Sequence, residues 1–258
     1  MLIVLSPAKS LDFTPVPEVA PTRPRFGKDT AALARTARGL RAADLKRLMH
    51  ISDELATLNV QRFKSFDPEG EGVPAALAFA GDVYQGLQAR TLNPDALAFA
   101  QDRLRILSGL YGLLRPLDAI QPHRLEMGTR LHTRRGETLY DFWGDRISRQ
   151  LNADMDGHAE RVLVNLASQE YFGAVDRRAL RAPVITCHFR EEKDGAVRTL
   201  AFFAKRARGL MARYAVDHRL ERAADLKSFD TAGYRFRPDL SSDADWVFVR
   251  PQPPAKTA

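Results

Sequence analysis

Leu2-Ile3-Val4-Leu5 is a wholly apolar run closed by Ser6-Pro7, the pattern of a strand buried on both faces. The stretch from Asp12 to Arg25 holds Pro15, Pro17, Pro21 and Pro24 and predicts an extended loop over the surface. Helical spacing starts near Lys28, with Leu33, Ala37 and Leu40 on one stripe. It resumes after Ser52, whose hydroxyl can cap a helix carrying Leu55, Leu58 and Phe63. Asp67 to Gly72 is a turn or loop, and Ala75 to Ala80 is an apolar run broken by Gly81-Asp82. Val83 and Leu87 read as helical, and Asn93-Pro94-Asp95 opens a further helix that leads to a strand at Leu104 to Leu107.

From Ser108 to Thr133 no clean period appears. The segment far exceeds the usual connector of roughly 2–6 residues, so it is read as functional or as packed irregular chain. Beyond it, Arg161 to Leu166 predicts a strand feeding a short helix near Ser168. Pro183 to Phe189 and Val197 to Phe202 predict a hairpin across Glu192-Lys193-Asp194-Gly195. A helix follows from Phe203 to Val216, with Phe203, Ala207, Leu210 and Tyr214 on its inner face, and closing strands at Tyr234 to Phe236 and Trp246 to Val249. This order predicts one α/β domain of mixed α+β character over residues 1–250, a mixed central sheet surrounded by helices, and a flexible tail over 251–258.

The chain has 258 residues, 45% of them hydrophobic and 28% charged, which is ordinary globular composition. One cysteine, Cys187, excludes an internal disulfide framework and a cysteine-ligated cluster built by this chain alone. No apolar run approaches a membrane span of about 20 residues, and the first residues lack the layout of a secretory signal, so a soluble intracellular protein is expected. No phosphate-binding loop, dinucleotide fingerprint, HExxH or GxSxG is present. The six scattered histidines give incomplete metal pairs at best, His123 with Glu126 or His188 with Glu191 and Glu192, so no metal and no cofactor are expected.

The net charge is +7, and it is unevenly spread. Arg103 to Arg135 carries seven arginines against Asp118 and Glu126, and Arg177 to Arg222 carries twelve cations against five acids. Together these segments exceed the charge of the whole chain, which favours an anionic partner. On the helix after Phe203, Lys205 and Arg208 share one face and Arg206 and Arg213 another, either a solvated surface or a phosphate-tracking ridge. Leu107 to Leu114 resembles the hairpin of a helix-hairpin-helix element, in which closely spaced glycines expose backbone N–H groups to a DNA phosphate. Two residues separate Gly109 from Gly112 where that element has one, and a tight turn after a strand is the better reading of these residues alone.

Ser6 and Lys9 lie at the carboxyl end of the first strand, where α/β proteins place ligands. Glu126, Asp141, Trp143, Asn165 and Ser168 add carboxylates, an aromatic and hydroxyl groups in irregular settings, the usual material of a cleft. Tyr111, Tyr140 or Trp143 would be the aromatic platform for an unstacked base.

Several long strings then coincide with one family: Ser6-Pro7-Ala8-Lys9-Ser10-Leu11-Asp12, Leu107 to Pro116, Arg124 to Thr129, Phe142 to Asp145, Asn165 to Ser168, Glu170-Tyr171-Phe172 and Ala207 to Tyr214. In these the chain resembles the YaaA peroxide stress resistance family, in order and over nearly its whole length. The resemblance implies a cytoplasmic bacterial protein that limits peroxide damage and is associated with lower free iron. It implies an unusual α/β domain that binds DNA through a basic cleft and a helix-hairpin-helix element, with links to DNA-repair proteins. It implies no established reaction. The residues assigned to phosphate contacts on DNA are Lys9, Gly109, Gly112, Arg115, Arg124, Arg130, Lys205, Arg208 and Arg213. Binding to duplex, bubble or junction DNA without sequence readout is expected. The competing reading is an enzyme acting on a nucleobase, nucleotide or DNA lesion in the same cleft. Direct iron sequestration ranks third.

Overall fold

Five strands run parallel through the centre of the molecule; β1 (Leu2–Leu5) and β6 (Leu163–Leu166), in its middle, are buried at every position, so both of their faces are shielded by other elements. The computed structural model describes residues 1–16 and 18–254. The chain folds as β1 (Leu2–Leu5), α1 (Gly27–Arg38), α2 (Ala42–Met49), α3 (Asp53–Ser65), β2 (Val73–Pro74), α4 (Ala75–Ala78), α5 (Asp82–Leu87) and α6 (Pro94–Arg103). It continues with β3 (Leu104–Ser108), β4 (Gly112–Leu114), β5 (Ala119–Ile120), α7 (Leu139–Trp143), α8 (Arg146–Asp154), β6 (Leu163–Leu166) and α9 (Gln169–Phe172). It closes with β7 (Val184–Lys193), β8 (Ala196–Arg198), α10 (Ala201–Asp217), β9 (Arg235–Phe236) and β10 (Asp245–Pro251).

The eight-stranded sheet has the order β4-β3-β1-β6-β7-β10-β9, with β8 added to β7. Strands β3, β1, β6, β7 and β10 are parallel, whereas β4, β8 and β9 pair antiparallel. Counted among themselves, the parallel strands follow the 2-1-3-4-5 order of one common class of doubly wound sheets. The chain leaves β1 toward β3 and later returns to its other side at β6. The carboxyl ends of β1 and β6 therefore flank a topological switch point, where such sheets open a crevice.

Helix starts follow local chemistry. The Ser52 hydroxyl accepts from the Leu55 N–H (3.3 Å), so the expected cap forms, and Asn93 Oδ1 caps α6 by accepting from the Ala96 N–H (2.8 Å). The inner stripe of α3 is Ala56, Asn59 and Phe63; Leu55 and Leu58 stay 37% and 38% exposed, so the expected stripe is out of phase on those two residues. Leu40 lies past the end of α1, and α2, which has only two buried residues, was not foreseen. The expected hairpin strand to Phe202 stops at Arg198, and Phe202 lies in the first turn of α10. Helix α10 crosses α5 at close range. A Cβ on Gly209 would overlap the Val83 carbonyl, so only glycine permits that approach.

Beyond α10, Phe189, Phe229, Tyr234 and Phe248 form an aromatic cluster, with Phe189 and Phe248 stacked at 5.6 Å. Pro251, expected in the tail, is the last residue of β10 opposite Glu192, and the Gln252 N–H donates to the Glu192 carbonyl (2.9 Å). Pro17 and tail residues 255–258 lie outside the described residues.

Candidate functional site

At the switch point Ser6 leaves the end of β1 and Ser168 follows the end of β6. Ser6 Oγ accepts from the Ser168 N–H (2.8 Å) and donates to Ser168 Oγ (3.3 Å). The Tyr84 hydroxyl of α5 donates to the Ser6 carbonyl (3.0 Å), which fixes the strand end from the helix side. Asn165, on β6, closes its own turn by accepting from the Ala167 N–H (2.9 Å).

Three residues on, Lys9 reaches the irregular segment after β5: its Nζ lies 2.9 Å from Glu126 Oε2. Arg124 grips the other oxygen, with Nε 3.0 Å and Nη2 2.8 Å from Oε1. Partial burial disfavours the Glu126 carboxylate, yet the hydrogen bonds from Lys9 and Arg124 outweigh it and hold its carboxyl below the ordinary range. Glu126 is thus a fixed anion that orients Lys9, whose side chain remains 63% exposed. The topology brings Ser6, Lys9, Arg124, Glu126, Asn165 and Ser168 to the carboxyl edge of the sheet.

The same edge continues along β7. Strand β6 pairs with β7 only as far as Thr186, and β8 pairs with the same side of β7 from Glu191 to Lys193. Strand β8 and the start of α10 therefore stand past the end of β6, alongside the crevice. Glu191 is buried there, taking the Tyr234 hydroxyl (2.5 Å), the Leu200 N–H (3.3 Å) and the Arg250 guanidinium (3.4 Å).

The family description "Peroxide stress protein YaaA" matches residues 1–240. The chain belongs to that family. It is 64% identical over 260 residues to a UPF0246 protein of Phenylobacterium zucineum, covering 100% of this chain and 98% of that one. A UPF0246 protein of Caulobacter vibrioides is 64% identical over 255 residues, covering 98% and 100% of the two chains. One of Maricaulis maris is 55% identical over 257 residues, covering 99% and 98%.

Within this family member, several expected contacts turn out to be internal. Leu107 to Leu114 is not flanked by helices; it is the β3–β4 hairpin, and both of its glycines are buried. Gly112 has φ +70° and packs so closely that a Cβ would come within 2.6 Å of the Trp143 ring. The Gly109 carbonyl accepts from Trp143 Nε1 (3.0 Å). The structure therefore shows the tight turn rather than a phosphate-facing hairpin. Arg115 is spent on buried Asp118 (2.7 Å), and Arg213 on Asp217 (2.8 Å) and Thr91 Oγ1 (2.6 Å). Arg208 is half-buried beside Cys187, its Nε without a hydrogen-bond partner among the described residues. Lys9, Arg130 and Lys205 are exposed.

The expected platforms are also occupied. Trp143 is 0% exposed and packs edge-on to Phe26 (5.4 Å) and Phe142 (5.2 Å). Tyr111 is buried, and Tyr140 donates to the Glu170 carbonyl (2.8 Å). Asp141 caps α7, accepting from the Glu137 and Thr138 N–H groups (3.1 and 3.0 Å) and the Thr138 hydroxyl (2.8 Å). His123 is buried against Tyr111 with Nδ1 2.8 Å from the Gln121 carbonyl, and burial lowers its pKa to about 4. His188 points to the opposite face of β7 from Glu191 and pairs with Asp245 (2.8 Å).

Proposed function

We propose that this chain acts in the peroxide response by binding DNA along the carboxyl edge of its sheet, chiefly where β7, β8 and α10 meet. The carrying observation is the charge that remains after every ion pair is removed. Between residues 190 and 206, Arg190, Lys193, Arg198, Lys205 and Arg206 have no acidic partner among the described residues. Of the acids in that stretch, Glu191 is consumed by Arg250 and Glu192 faces Arg237, which leaves Asp194. Such an unneutralised ridge releases counterions when it meets a phosphate backbone. At the switch point Lys9 and Arg124 share the single carboxylate of Glu126, which leaves that cluster with an excess of one positive charge, and Arg130 is a further exposed cation.

A cytoplasmic location, an association with lower free iron and a link to repair proteins, which the family resemblance implies, belong to the same proposal. Among the described residues no three His, Cys, Asp or Glu come together to hold a metal, and no helix is long and apolar enough to cross a membrane.

The test is a salt titration of binding to labelled duplex. Each lost phosphate contact should flatten the log–log slope by about 1, so a combined Arg198→Ala, Lys205→Ala, Arg206→Ala variant should lower it by roughly 2–3. Absence of binding, or an unchanged slope in that variant, overturns the proposal.

A second reading places chemistry on a nucleobase or DNA lesion at the switch point, favoured by the Ser6–Ser168 pair beside the Lys9–Glu126–Arg124 cluster. Glu126 would serve there as a carboxylate, since two cations hold it ionised. Base release or strand cleavage that Glu126→Gln abolishes supports this reading; intact DNA across a panel of lesions removes it.

A further inference from the structure

We propose that Phe202 is a base-stacking platform that directs this edge toward unpaired bases. The inference rests on the DNA-binding reading and adds to it the state of the DNA.

Phe202 is 54% exposed, more than Leu55, Leu58 or Leu240, the other large apolar side chains at the surface. Lys205 and Arg206 follow it by three and four residues on α10, so both share its side of the helix. Arg198 ends β8 just before the helix. The aromatic ring is thus bracketed by three cations without acidic partners among the described residues, the composition that binds single strands by stacking bases and tracking phosphates.

The support beneath the ring is stiff. Phe202 meets Phe203 edge-on at 5.5 Å. Phe203 in turn carries the Arg250 guanidinium 4.7 Å from its centroid, and that guanidinium also lies 4.6 Å from the Tyr234 ring and pairs with buried Glu191. A platform held this way loses little freedom when a base settles on it. Bases in an intact duplex already have both faces covered by their neighbours, whereas an unpaired base presents a face to the ring. The ridge alone would bind both forms, and the ring adds affinity only for the unpaired one.

The experiment compares full-length wild type with Phe202→Ala and Phe202→Trp on a continuous duplex and on the same duplex with a central bubble carrying 2-aminopurine. Wild type should prefer the bubble and quench 2-aminopurine. Phe202→Ala should reduce that preference by about 5- to 150-fold, the effect of losing one stacked base, and Phe202→Trp should keep it. Near-ultraviolet circular dichroism confirms that the variants are folded. A bubble preference that survives Phe202→Ala overturns this inference while leaving the interface standing. Equal affinity of wild type for the two DNAs does the same. Failure of wild type to bind either DNA overturns the interface and this inference together.

Discussion

Ser6 and Ser168, 162 residues apart in the chain, share two hydrogen bonds across the gap between the carboxyl ends of β1 and β6. The Ser168 N–H is a backbone donor in a partly buried setting, and Ser6 Oγ is its acceptor. Ser6→Ala leaves that donor unmatched, at a cost of about 1–3 kcal/mol. Urea unfolding should therefore show a lower midpoint with an unchanged slope. Ser168→Ala removes only the hydroxyl and should cost less, because its N–H keeps the Ser6 acceptor. Equal losses would show that the two hydroxyls, not the backbone contact, tie the strand ends.

His123 predicts how stability depends on pH. Burial first, and the nearby Arg62 charge last, lower its pKa to about 4 from 6.5, against the opposing hydrogen bond to Gln121. The folded state then binds fewer protons than the unfolded state between those two values. Stability should fall as pH drops from 6.5 toward 4 and this contribution should level off below it. The drop is of the order of 3 kcal/mol across the window. A His123→Gln variant, compared with wild type by unfolding at several pH values, should lose this slope. Parallel curves for the two proteins would refute the assignment to His123.

The close crossing of α5 and α10 makes a third prediction. Gly209→Ala drives a methyl group into the Val83 carbonyl, and backbone cannot rotate away as a side chain can. The helices must separate, which costs about 1–3 kcal/mol or more. The melting temperature should fall by several degrees. Because α10 carries Lys205 and Arg206, DNA affinity should weaken with it. A variant with wild-type melting and affinity would show that the crossing has slack.

The parts of this architecture that were readable in the chain are those set by local chemistry. An apolar run announces β1, and Ser52 and Asn93 announce the helices that they cap. Candidates at the switch point were legible too, because Ser6 and Lys9 immediately follow a buried strand. Their partners were not. That Lys9 meets Glu126, and Ser6 meets Ser168, depends on strand order, which no short window encodes. Arg115 and Arg213 looked like surface cations until the fold placed Asp118 and Asp217 against them. Trp143 reads in the sequence as part of an irregular stretch typical of clefts, yet it ends α7, and its indole packs against Gly112, where a Cβ would come within 2.6 Å of the ring. Phe202 escaped because alternation from Val197 extended the hairpin strand through it. The signal present was the Phe202-Phe203 doublet ahead of Lys205-Arg206, in which one ring can anchor while the other faces solvent.

Cys187 bears on how the chain takes part in the peroxide response. Its thiol is buried in the centre of β7, and burial pushes its pKa well above the ordinary thiol value despite the Arg208 charge nearby. Peroxide attacks the thiolate, so a buried, protonated thiol is a poor target. Exposing the folded protein to hydrogen peroxide should leave Cys187 unmodified by intact-mass and peptide mass spectrometry, whereas denaturant should make it reactive. Cys187→Ala should bind DNA with wild-type affinity before and after peroxide treatment, at the cost of a small cavity. Rapid sulfenic acid formation at Cys187 in the folded protein would contradict this. It would make the thiol a sensor whose oxidation disturbs Arg208 and the helix that carries Lys205 and Arg206.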